Sequence, residues 1–322
     1  MSNILLTSVG RRVSLVKAFI SELKKIDSTS EVYVTDANPK LSSASQVAYK
    51  AFEVCKINNS SYVDLLLEIC LEYKISVIIP TLDTELTVLS ENYKKFAEKN
   101  IEIVLSSEAF IKKCNNKSST HDLFNDMNVS TPEIYSKQKY KLPLFIKPII
   151  GSNSTNNYIV KTKNQISNYH LEEESLLFFE YLDHDYYEEY TCDLYYNKSS
   201  ELKCAIPRKR IEVRGGEVIK GVTKRNEVKA FIDEKFALLE GARGCITLQL
   251  FIHDKTRKIK GIEINPRFGG GFPLSYLAGG NYPKWIIQEY ILKNTVEYFD
   301  EWDDDLLMLR YDDEILIRDF EE

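Results

Sequence analysis

The sequence is poor in the patterns that mark metalloproteins, disulfide-rich proteins and membrane proteins. Its six cysteines are scattered without a C-x-x-C pair, and its four histidines stand alone. Zinc sites, iron–sulfur clusters and disulfide frameworks need closer spacings, so we expect free thiols in a reducing compartment. The apolar run 4–9 is too short for the core of a signal peptide, and no stretch approaches the length of a membrane span. We therefore expect a cytoplasmic protein with no membrane partner.

Dense positive charge is also missing. The net charge is −6, and the segment 297–322 alone holds 12 acidic and two basic residues, which leaves the rest of the chain mildly basic. Because there is no arginine-rich arm or basic stripe, a nucleic-acid partner is not expected. A mildly basic body suits small anionic ligands instead. The acidic segment is expected to be a solvated surface.

The first hundred residues alternate between strand-like and helix-like patterns. Strands are predicted at 4–9, 31–35, 76–80 and 101–105, and helices at 13–25, 62–73 and 83–99. This alternation predicts a parallel sheet covered on both faces, with ligands at the carboxyl ends of the strands. Gly10 alone does not form the G-x-G-x-x-G fingerprint of a nicotinamide site, but a helix start at Gly10–Arg12 could bind a carboxylate or phosphate. Thr81 and Asp83 follow the third strand, where ligands gather, but we expect at least one of them to cap the next helix instead.

From residue 107 the pattern changes to short helices and antiparallel strands, which predicts an α+β module. After a helical stretch at 108–127, strands are predicted at 144–148, 175–182, 190–196, 201–206 and 218–223. A helix at 228–240 precedes a hairpin of strands 245–252 and 259–265, and another helix is expected at 283–292. The tail 306–320 is predicted to form a final hairpin that turns at Asp312–Asp313.

Three reactive side chains alternate along the second strand of the 245–265 hairpin. Glu263 and Asn265 point to the same side of an extended strand, and Arg267 joins them if the strand continues past Pro266. Carboxylate and amide oxygens suit Mg²⁺, and a guanidinium suits phosphate. This spacing predicts a site for a metal ion and nucleotide phosphates.

Gln249 lies on the first strand of the same hairpin. A loop of three residues (255–257) or of five would place Gln249 opposite Glu263, whereas an even-length loop would turn it away. We hypothesise that Gln249, Glu263 and Asn265 ligate one or two Mg²⁺ ions. The alternative is a solvated hairpin whose polar face has no function.

Basic side chains lie upstream of this hairpin. Lys147 ends an apolar strand just before the loop 151–157, which is rich in Gly, Ser and Asn, and this placement suits phosphate binding by an ammonium group and backbone N–H groups. Lys117 by itself is more typical of a solvated surface charge. Arg208 and Arg210 are two residues apart, so on an extended strand they would point to the same side and could reach an anionic substrate or a transferred phosphoryl group. The alternative is that they belong to an exposed basic hairpin tip.

In this order the elements resemble the ATP-grasp superfamily, especially the branch similar to the large subunit of carbamoyl-phosphate synthase. The resemblance runs from residue 4 to about residue 290, and its strongest motif is the E-x-N-x-R block 263–267 with Gln249 upstream. It implies a doubly wound pre-ATP-grasp α/β domain at 1–106, a two-lobed ATP-grasp domain at 107–292 and an acidic tail at 293–322. The loop after Lys147 departs from the family pattern, because it carries one glycine where many relatives carry several.

The resemblance also implies roles for individual residues, with the nucleotide held between the two lobes. The phosphates would be bound by Lys117, Lys147 and a mobile loop that includes Gly151, Ser152 and Ser154. The adenine would meet backbone groups of Glu180, Tyr181 and Leu182, and the ribose would be held by Glu189 or, as the alternative, Glu188. Gln249, Glu263 and Asn265 would match the Mg²⁺ ligands, while Arg267, Arg208 and Arg210 would act at the reaction centre.

The chemistry that the resemblance implies is the ATP-dependent ligation of a small carboxylate to an amine through an acyl phosphate. Its cofactors would be ATP and one or two Mg²⁺ ions, with Mn²⁺ as a substitute. Two other functions stay open: phosphorylation of a carboxylate or carbamate without ligation, and ATP sensing without catalysis. Relatives commonly dimerise, so a homodimer is compatible with the resemblance.

Overall fold

The computed structural model describes residues 2–150 and 157–320. Its N-terminal part is a parallel sheet with the strand order β3–β2–β1–β4–β5. The strands are β1 (Asn3–Thr7), β2 (Val32–Asp36), β3 (Lys50–Glu53), β4 (Ile75–Pro80) and β5 (Glu102–Ile103), and the helices that cover them are α1 (Val13–Ile26), α2 (Tyr62–Glu72), α3 (Asp83–Glu91) and α4 (Tyr93–Ala97). The predicted parallel sheet is confirmed.

Two details of this sheet differ from the prediction. Strand β3 is not predicted, because its half-exposed sequence lacks the apolar run of a central strand. The predicted helix 83–99 is divided into α3 and α4 at Asn92, whose side-chain amide donates to the carbonyl of Val88 at 2.9 Å. An asparagine side chain that competes for backbone groups favours a helix end at this position.

Two antiparallel sheets form the rest of the molecule. The smaller sheet has the order β6–β9–β7–β8, with β6 (Ile134–Tyr135), β7 (Leu144–Pro148), β8 (Tyr158–Val160) and β9 (Leu176–Glu180). The larger sheet has the order β14–β13–β10–β11–β12–β15, with β10 (Tyr187–Tyr196), β11 (Leu202–Arg214), β12 (Glu217–Thr223), β13 (Gly244–His253), β14 (Ile259–Asn265) and β15 (Leu307–Leu309). The predicted combination of an α/β domain with a two-lobed α+β module is therefore confirmed.

Short helices accompany these sheets. They are α5 (Glu108–Asn115), α6 (Lys117–Asp126), α7 (Asn168–Glu172), α8 (Glu227–Lys235), α9 (Phe272–Leu277) and α10 (Tyr282–Ile286), and a π-helical turn (Ile287–Ile291) continues α10. The predicted helix 228–240 is shorter in the structure, where α8 ends at Lys235. No helix in the described part of the chain is long and apolar enough to cross a bilayer.

The tail does not form the predicted hairpin. Its strand β15 pairs antiparallel with β12 and extends the larger sheet, with Leu309 opposite Lys220. The acidic side chains of the tail are mostly exposed, as expected, but Val296 and Trp302 are buried in the main core. Apolar anchors between the acidic residues therefore fix the tail to the sheet.

The hydrophobic cores show which parts of the molecule are joined. One core combines Ile4 and Phe19 of the N-terminal part with Ile206 and Phe268 of the larger-sheet part. The smaller sheet has a separate core of five buried residues, which are Leu144, Ile146, Val160, Leu176 and Phe178. The smaller sheet therefore packs around its own core, whereas the N-terminal part and the larger sheet share a core.

Candidate active site

A cleft of about 710 Å³ lies between the smaller and the larger sheet. One end meets the linker between β9 and β10, and the other end meets the N-terminal part at Arg11 and Arg12. Seven basic and four acidic side chains are among the described residues that line it. This excess of positive charge favours an anionic ligand.

The candidate metal ligands meet on the β13–β14 hairpin. Gln249 is paired with Glu263, so the predicted register is confirmed. The hairpin loop is even, because Ile252 pairs with Ile259 and the N–H of His253 donates to Lys258. An even loop alone would have turned Gln249 away.

A bulge in β14 reverses that effect. The pairing shifts between Leu250–Gly261 and Gln249–Glu263, so that Ile262 is the extra residue. Gly261 permits this close packing, because a Cβ there would stand 2.7 Å from the ring of Phe124. The N–H of Gly261 points to the open edge of the sheet and donates to the carbonyl of Ser130 at 2.8 Å. The bulge therefore turns Glu263 into the cleft beside Gln249.

The donor set of this hairpin fits a hard cation. The side-chain N–H of Asn265 donates to Glu263 at 2.7 Å, and that of Gln249 donates to Glu189. With their amide nitrogens used in this way, Asn265 and Gln249 have amide oxygens that accept no hydrogen bond from any described residue. Oxygens of one carboxylate and two amides are the type of ligand that Mg²⁺ takes, completed by water and phosphate.

The two predicted lysines lie on the opposite side of the cleft, near Glu263. Lys117 is the first residue of α6, after the capping residue Asn116, and Lys147 lies on β7. Burial lowers the pKa of Lys147 to about 8, with Glu263 opposing this shift and Lys117 adding to it. Burial also lowers the pKa of Lys117, again against the effect of Glu263. Two ammonium groups held in one partly desolvated place favour a polyanion between them.

The three predicted arginines all line the cleft, but each already has a carboxylate partner. Arg208 donates to Asp193 at 2.8 Å, Arg210 donates to Glu189, and Arg267 makes a two-pronged contact with Asp83. For Arg208 the alternative of an exposed hairpin tip is wrong, because its side chain is 1% exposed on β11. Its Nη1 and Nη2 atoms have no acceptor among the described residues.

Asp83 and Thr81 do not have the predicted capping roles. Helix α3 has Leu82 at its N-cap position, and no side chain caps it. The hydroxyl of Thr81 donates to the carbonyls of Thr7 and Ser8. Asp83 instead orients Arg267 across the boundary between the N-terminal part and the larger sheet.

The linker after β9 presents backbone groups to the cleft. The N–H of Glu180 donates to Glu133 at 2.8 Å, so Glu180 can offer a ligand only its carbonyl. Its side chain binds Lys260. Tyr181 and Leu182 line the cleft, and within the described chain no backbone hydrogen bond involves them. The backbone groups available for the predicted contacts are therefore the carbonyl of Glu180 and the N–H and carbonyl groups of Tyr181 and Leu182.

Strand alternation separates the two candidate ribose ligands. Glu189 faces the cleft, where it accepts from Arg210 and Gln249. Glu188 points to the other face and binds Lys209 at 2.7 Å. The predicted loop residues Gly151, Ser152 and Ser154 lie outside the described residues.

Arg12 belongs to the helix start that was predicted to bind a carboxylate or phosphate, whereas Asp193 was not predicted. Arg12 lies at the cleft, where its acceptors among the described residues are the carbonyls of Phe268 and Thr81. Burial, together with nearby Arg267, lowers its pKa to about 10. Asp193 is fully buried and accepts from Arg208 and Ser275. Asp193 lies four residues after Glu189 on β10, so both side chains point to the same face, and this spacing could have identified it.

Comparisons with known proteins agree with this architecture. Residues 4–104 match a family described as PylC-like, N-terminal domain, and residues 172–312 match one described as ATP-grasp in the biosynthetic pathway with Ter operon. No curated protein matches the chain significantly.

Solved structures with the same fold are distant in sequence. An N5-carboxyaminoimidazole synthetase from Staphylococcus aureus, complexed with ADP, has a TM-score of 0.69 at 15% identity and covers 96% of this chain and 80% of its own. The biotin carboxylase domain of 2-oxoglutarate carboxylase from Hydrogenobacter thermophilus, in complex with MgADP, has a TM-score of 0.72 at 11% identity. This match covers 94% of the present chain and 73% of the carboxylase chain. An L-amino acid ligase from Bacillus licheniformis has a TM-score of 0.68 at 13% identity, and the match covers 90% of the present chain and 74% of the ligase chain. An ATP-grasp family model thus matches residues 172–312, and the solved structures show that the chain as a whole shares their fold.

Proposed function

We propose that the protein is an ATP-dependent ligase that joins a small carboxylate to an amine through an acyl phosphate. The observation that carries the proposal is the convergence of Lys117 and Lys147 with Glu263, Gln249 and Asn265 across one cleft. Ammonium groups suit phosphate oxygens, and the oxygen donors opposite suit a divalent cation, so the cleft matches a metal-bound triphosphate.

The nucleotide would lie along the cleft with its base at the linker. Tyr181, Leu182 and the carbonyl of Glu180 offer backbone groups to adenine, and Glu189 is the acidic side chain placed for the ribose. Glu189 would have to exchange its present partners, Arg210 and Gln249, for ribose hydroxyls. Release of Gln249 in that exchange would free its amide to turn toward a metal ion.

Glu263, Asn265 and Gln249 would hold Mg²⁺, or Mn²⁺ as a substitute. The ion would act as a Lewis acid that offsets charge on the phosphate oxygens. Lys117 and Lys147 would stabilise the same charge from the other side of the cleft. Catalysis of this kind relies on positioning and charge neutralisation, and no covalent protein nucleophile is needed.

The carboxylate substrate would bind at the end of the cleft near the N-terminal part. Within the described part of the chain, Arg12 has only neutral carbonyl acceptors, and the buried Nη atoms of Arg208 have no acceptor. Leaving such donors unsatisfied costs stability, and a carboxylate would relieve that cost. Arg267, oriented by Asp83, would stabilise the acyl phosphate.

The proposed reaction has two steps. A carboxylate oxygen attacks the γ-phosphorus, the bond between this phosphorus and the β–γ bridging oxygen breaks, and ADP leaves. The amine nitrogen then attacks the acyl carbon, the acyl C–O bond breaks, phosphate leaves with the bonding electrons, and the nitrogen loses a proton.

The test measures ADP and phosphate release over a panel of small carboxylates, with and without amines, beside calorimetry with a non-hydrolysable ATP analogue and Mg²⁺. We expect Glu263→Ala and Lys147→Ala to abolish turnover while the protein stays folded. Glu188→Ala, on the opposite face of β10, is the matched control and should retain activity.

The outcomes separate the candidate functions. ADP release without any requirement for an amine would indicate phosphorylation without ligation. Tight nucleotide binding with no release over the whole panel would indicate an ATP sensor. Turnover that survives in both Glu263→Ala and Lys147→Ala would refute the assigned site.

A further inference from the structure

A cluster of charges joins three distant segments at the substrate end of the cleft. One carboxylate oxygen of Glu217, at the start of β12, contacts Arg11 of the N-terminal part at 3.1 Å, and the other contacts Arg310 of the tail at 3.1 Å. Arg310 also donates to the carbonyl of Gly270 at 2.6 Å. Arg11, Glu217 and Gly270 line the cleft, whereas Arg310 lies behind them.

Arg310 adds a contact from outside to the turn that follows β14. The turn 269–271 connects β14, which carries the candidate metal ligands, to α9. Within it the carbonyl of Gly269 accepts from Phe272 and that of Gly271 accepts from Leu274. The carbonyl of Gly270 is bound by Arg310 instead. Three consecutive glycines have high conformational freedom, so this contact from outside restricts a turn that could otherwise move.

The position of the turn matters because it packs directly on a substrate-end arginine. A Cβ on Gly271 would stand 2.1 Å from Nη1 of Arg208, and one on Gly270 would stand 3.1 Å from the carboxyl carbon of Glu217. A shift of the turn would therefore change the space around both Arg208 and Glu217. Through Gly270, Arg310 controls the wall against which the proposed carboxylate would bind.

The tail is itself well anchored next to Arg310. The N–H of Arg310 donates to the carbonyl of Ile219 at 2.8 Å, which continues the pairing of β15 with β12. Further along the tail, Asp312 forms a two-pronged ion pair with Arg214 at 2.6 and 3.1 Å, but these side chains are largely exposed and do not line the cleft. The tail thus offers a second ion pair whose own side chains lie outside the cleft lining, although the neighbours of Arg214, Val213 and Gly215, line the cleft.

We propose that Arg310 is a positioning residue, through which the C-terminal segment shapes the substrate end of the cleft. It acts by fixing the carboxylate of Glu217 and the carbonyl of Gly270 together, and it does not touch the substrate. The inference rests on the proposed ligase function for its kinetic consequence, although the effect on the turn 269–271 is independent of that function.

The test compares Arg310→Ala and Arg310→Lys with the matched control Arg214→Ala in the full-length protein. In Arg310→Ala we expect the KM for the carboxylate found active in the panel to rise by about tenfold or more, which corresponds to roughly 1.4 kcal/mol. The KM for ATP should change by less than about twofold. A single ammonium on Lys cannot bind both acceptors as a guanidinium fork does, so Arg310→Lys should recover part of the loss.

Hydrogen exchange provides a readout that needs no substrate. Peptides that contain the turn 269–271 should exchange faster in Arg310→Ala than in the wild type, and at the wild-type rate in Arg214→Ala. If the turn is unaffected in Arg310→Ala, or if Arg214→Ala loosens it equally, the proposal is overturned. Parallel rises in the KM for ATP and for the carboxylate would also overturn it, because they indicate a general structural defect.

Failure of the ligase function would look different. If the wild-type protein showed no turnover with any carboxylate, the proposed function would fall, while the exchange of the turn would still decide whether Arg310 positions it.

Discussion

At the scale of single residues, Lys147 illustrates how burial prepares a side chain for a ligand. A lysine with 8% of its area exposed is costly to keep charged, which is why the pKa of Lys147 falls to about 8. A bound triphosphate would favour the charged form and raise the pKa again. The same group therefore links nucleotide affinity to pH.

We expect nucleotide binding to take up protons at about pH 8.5, because Lys147 is then largely neutral in the free protein and charged in the complex. Affinity should fall as the pH rises through about 8. Calorimetry in two buffers with different ionisation enthalpies measures the uptake. It should disappear in Lys147→Met, and a buffer-independent heat in the wild type would contradict the prediction.

Without nucleotide, Lys147 should also affect folding stability. The unfolded chain, with an ordinary lysine pKa of 10.5, binds more protons than the folded protein above about pH 8. The contribution of Lys147 to the free energy of unfolding should therefore increase with pH between these values. Urea titrations over this range should show a smaller increase in Lys147→Met than in the wild type.

At the scale of secondary-structure elements, the β14 bulge decides which side chains face the proposed metal site. The even hairpin loop would separate Gln249 from Glu263, and the extra residue Ile262 restores their pairing. Gly261 lies at this point because the ring of Phe124 leaves no space for a side chain. Packing of α6 against β14 thus contributes directly to the geometry of the site.

Gly261→Ala should therefore damage both stability and the site. Overpacking of this kind costs roughly 1–3 kcal/mol, and a displaced β14 should weaken metal-dependent nucleotide binding. The double variant Gly261→Ala/Phe124→Leu should recover part of the loss, because the ring that clashes with the new Cβ is removed. Denaturant unfolding and calorimetry measure the two effects, and strictly additive single losses would contradict the packing explanation.

At the scale of the whole molecule, the N-terminal part and the larger sheet share one core and a set of polar contacts. Phe19 of α1 packs edge-on against Phe268 with 5.9 Å between ring centroids, and the Arg267–Asp83 ion pair spans the same boundary. We expect these two parts to unfold together. The smaller sheet, with its own small core, is expected to move more independently of them.

Phe19→Ala should destabilise the protein by about 3–5 kcal/mol and reduce hydrogen-exchange protection in both β1 and β13. Leu66→Ala is a fitting control, because Leu66 is equally buried but belongs to a core formed by the N-terminal α/β sheet and the helices packed on it. A loss of protection in Phe19→Ala that stays within the N-terminal part would contradict the shared core.

Much of this organisation could be predicted from local patterns. The β7 and β14 boundaries, the parallel sheet and the facing of Glu263 and Asn265 follow from apolar runs and the alternation of side chains along a strand. The partners of Arg208, Arg210 and Arg267 could not be predicted, because Asp193, Glu189 and Asp83 are distant in sequence and meet them only in the folded chain. The tail was mistaken for a hairpin since its pairing partner, β12, lies far upstream.

The amino-acid sequence by itself determined the kinds of element, their order and the side chains offered to the cleft, because these depend on interactions between near neighbours. The tertiary structure decided which of the charges are neutralised and which stay available. It does so through contacts between residues that are distant in sequence. Among them are the packing of Phe124 on Gly261 at the bulge, the ion pairs of the arginines with carboxylates, and the hydrogen bond from Arg310 to Gly270. Such contacts depend on three-dimensional proximity, which no local pattern of residues encodes.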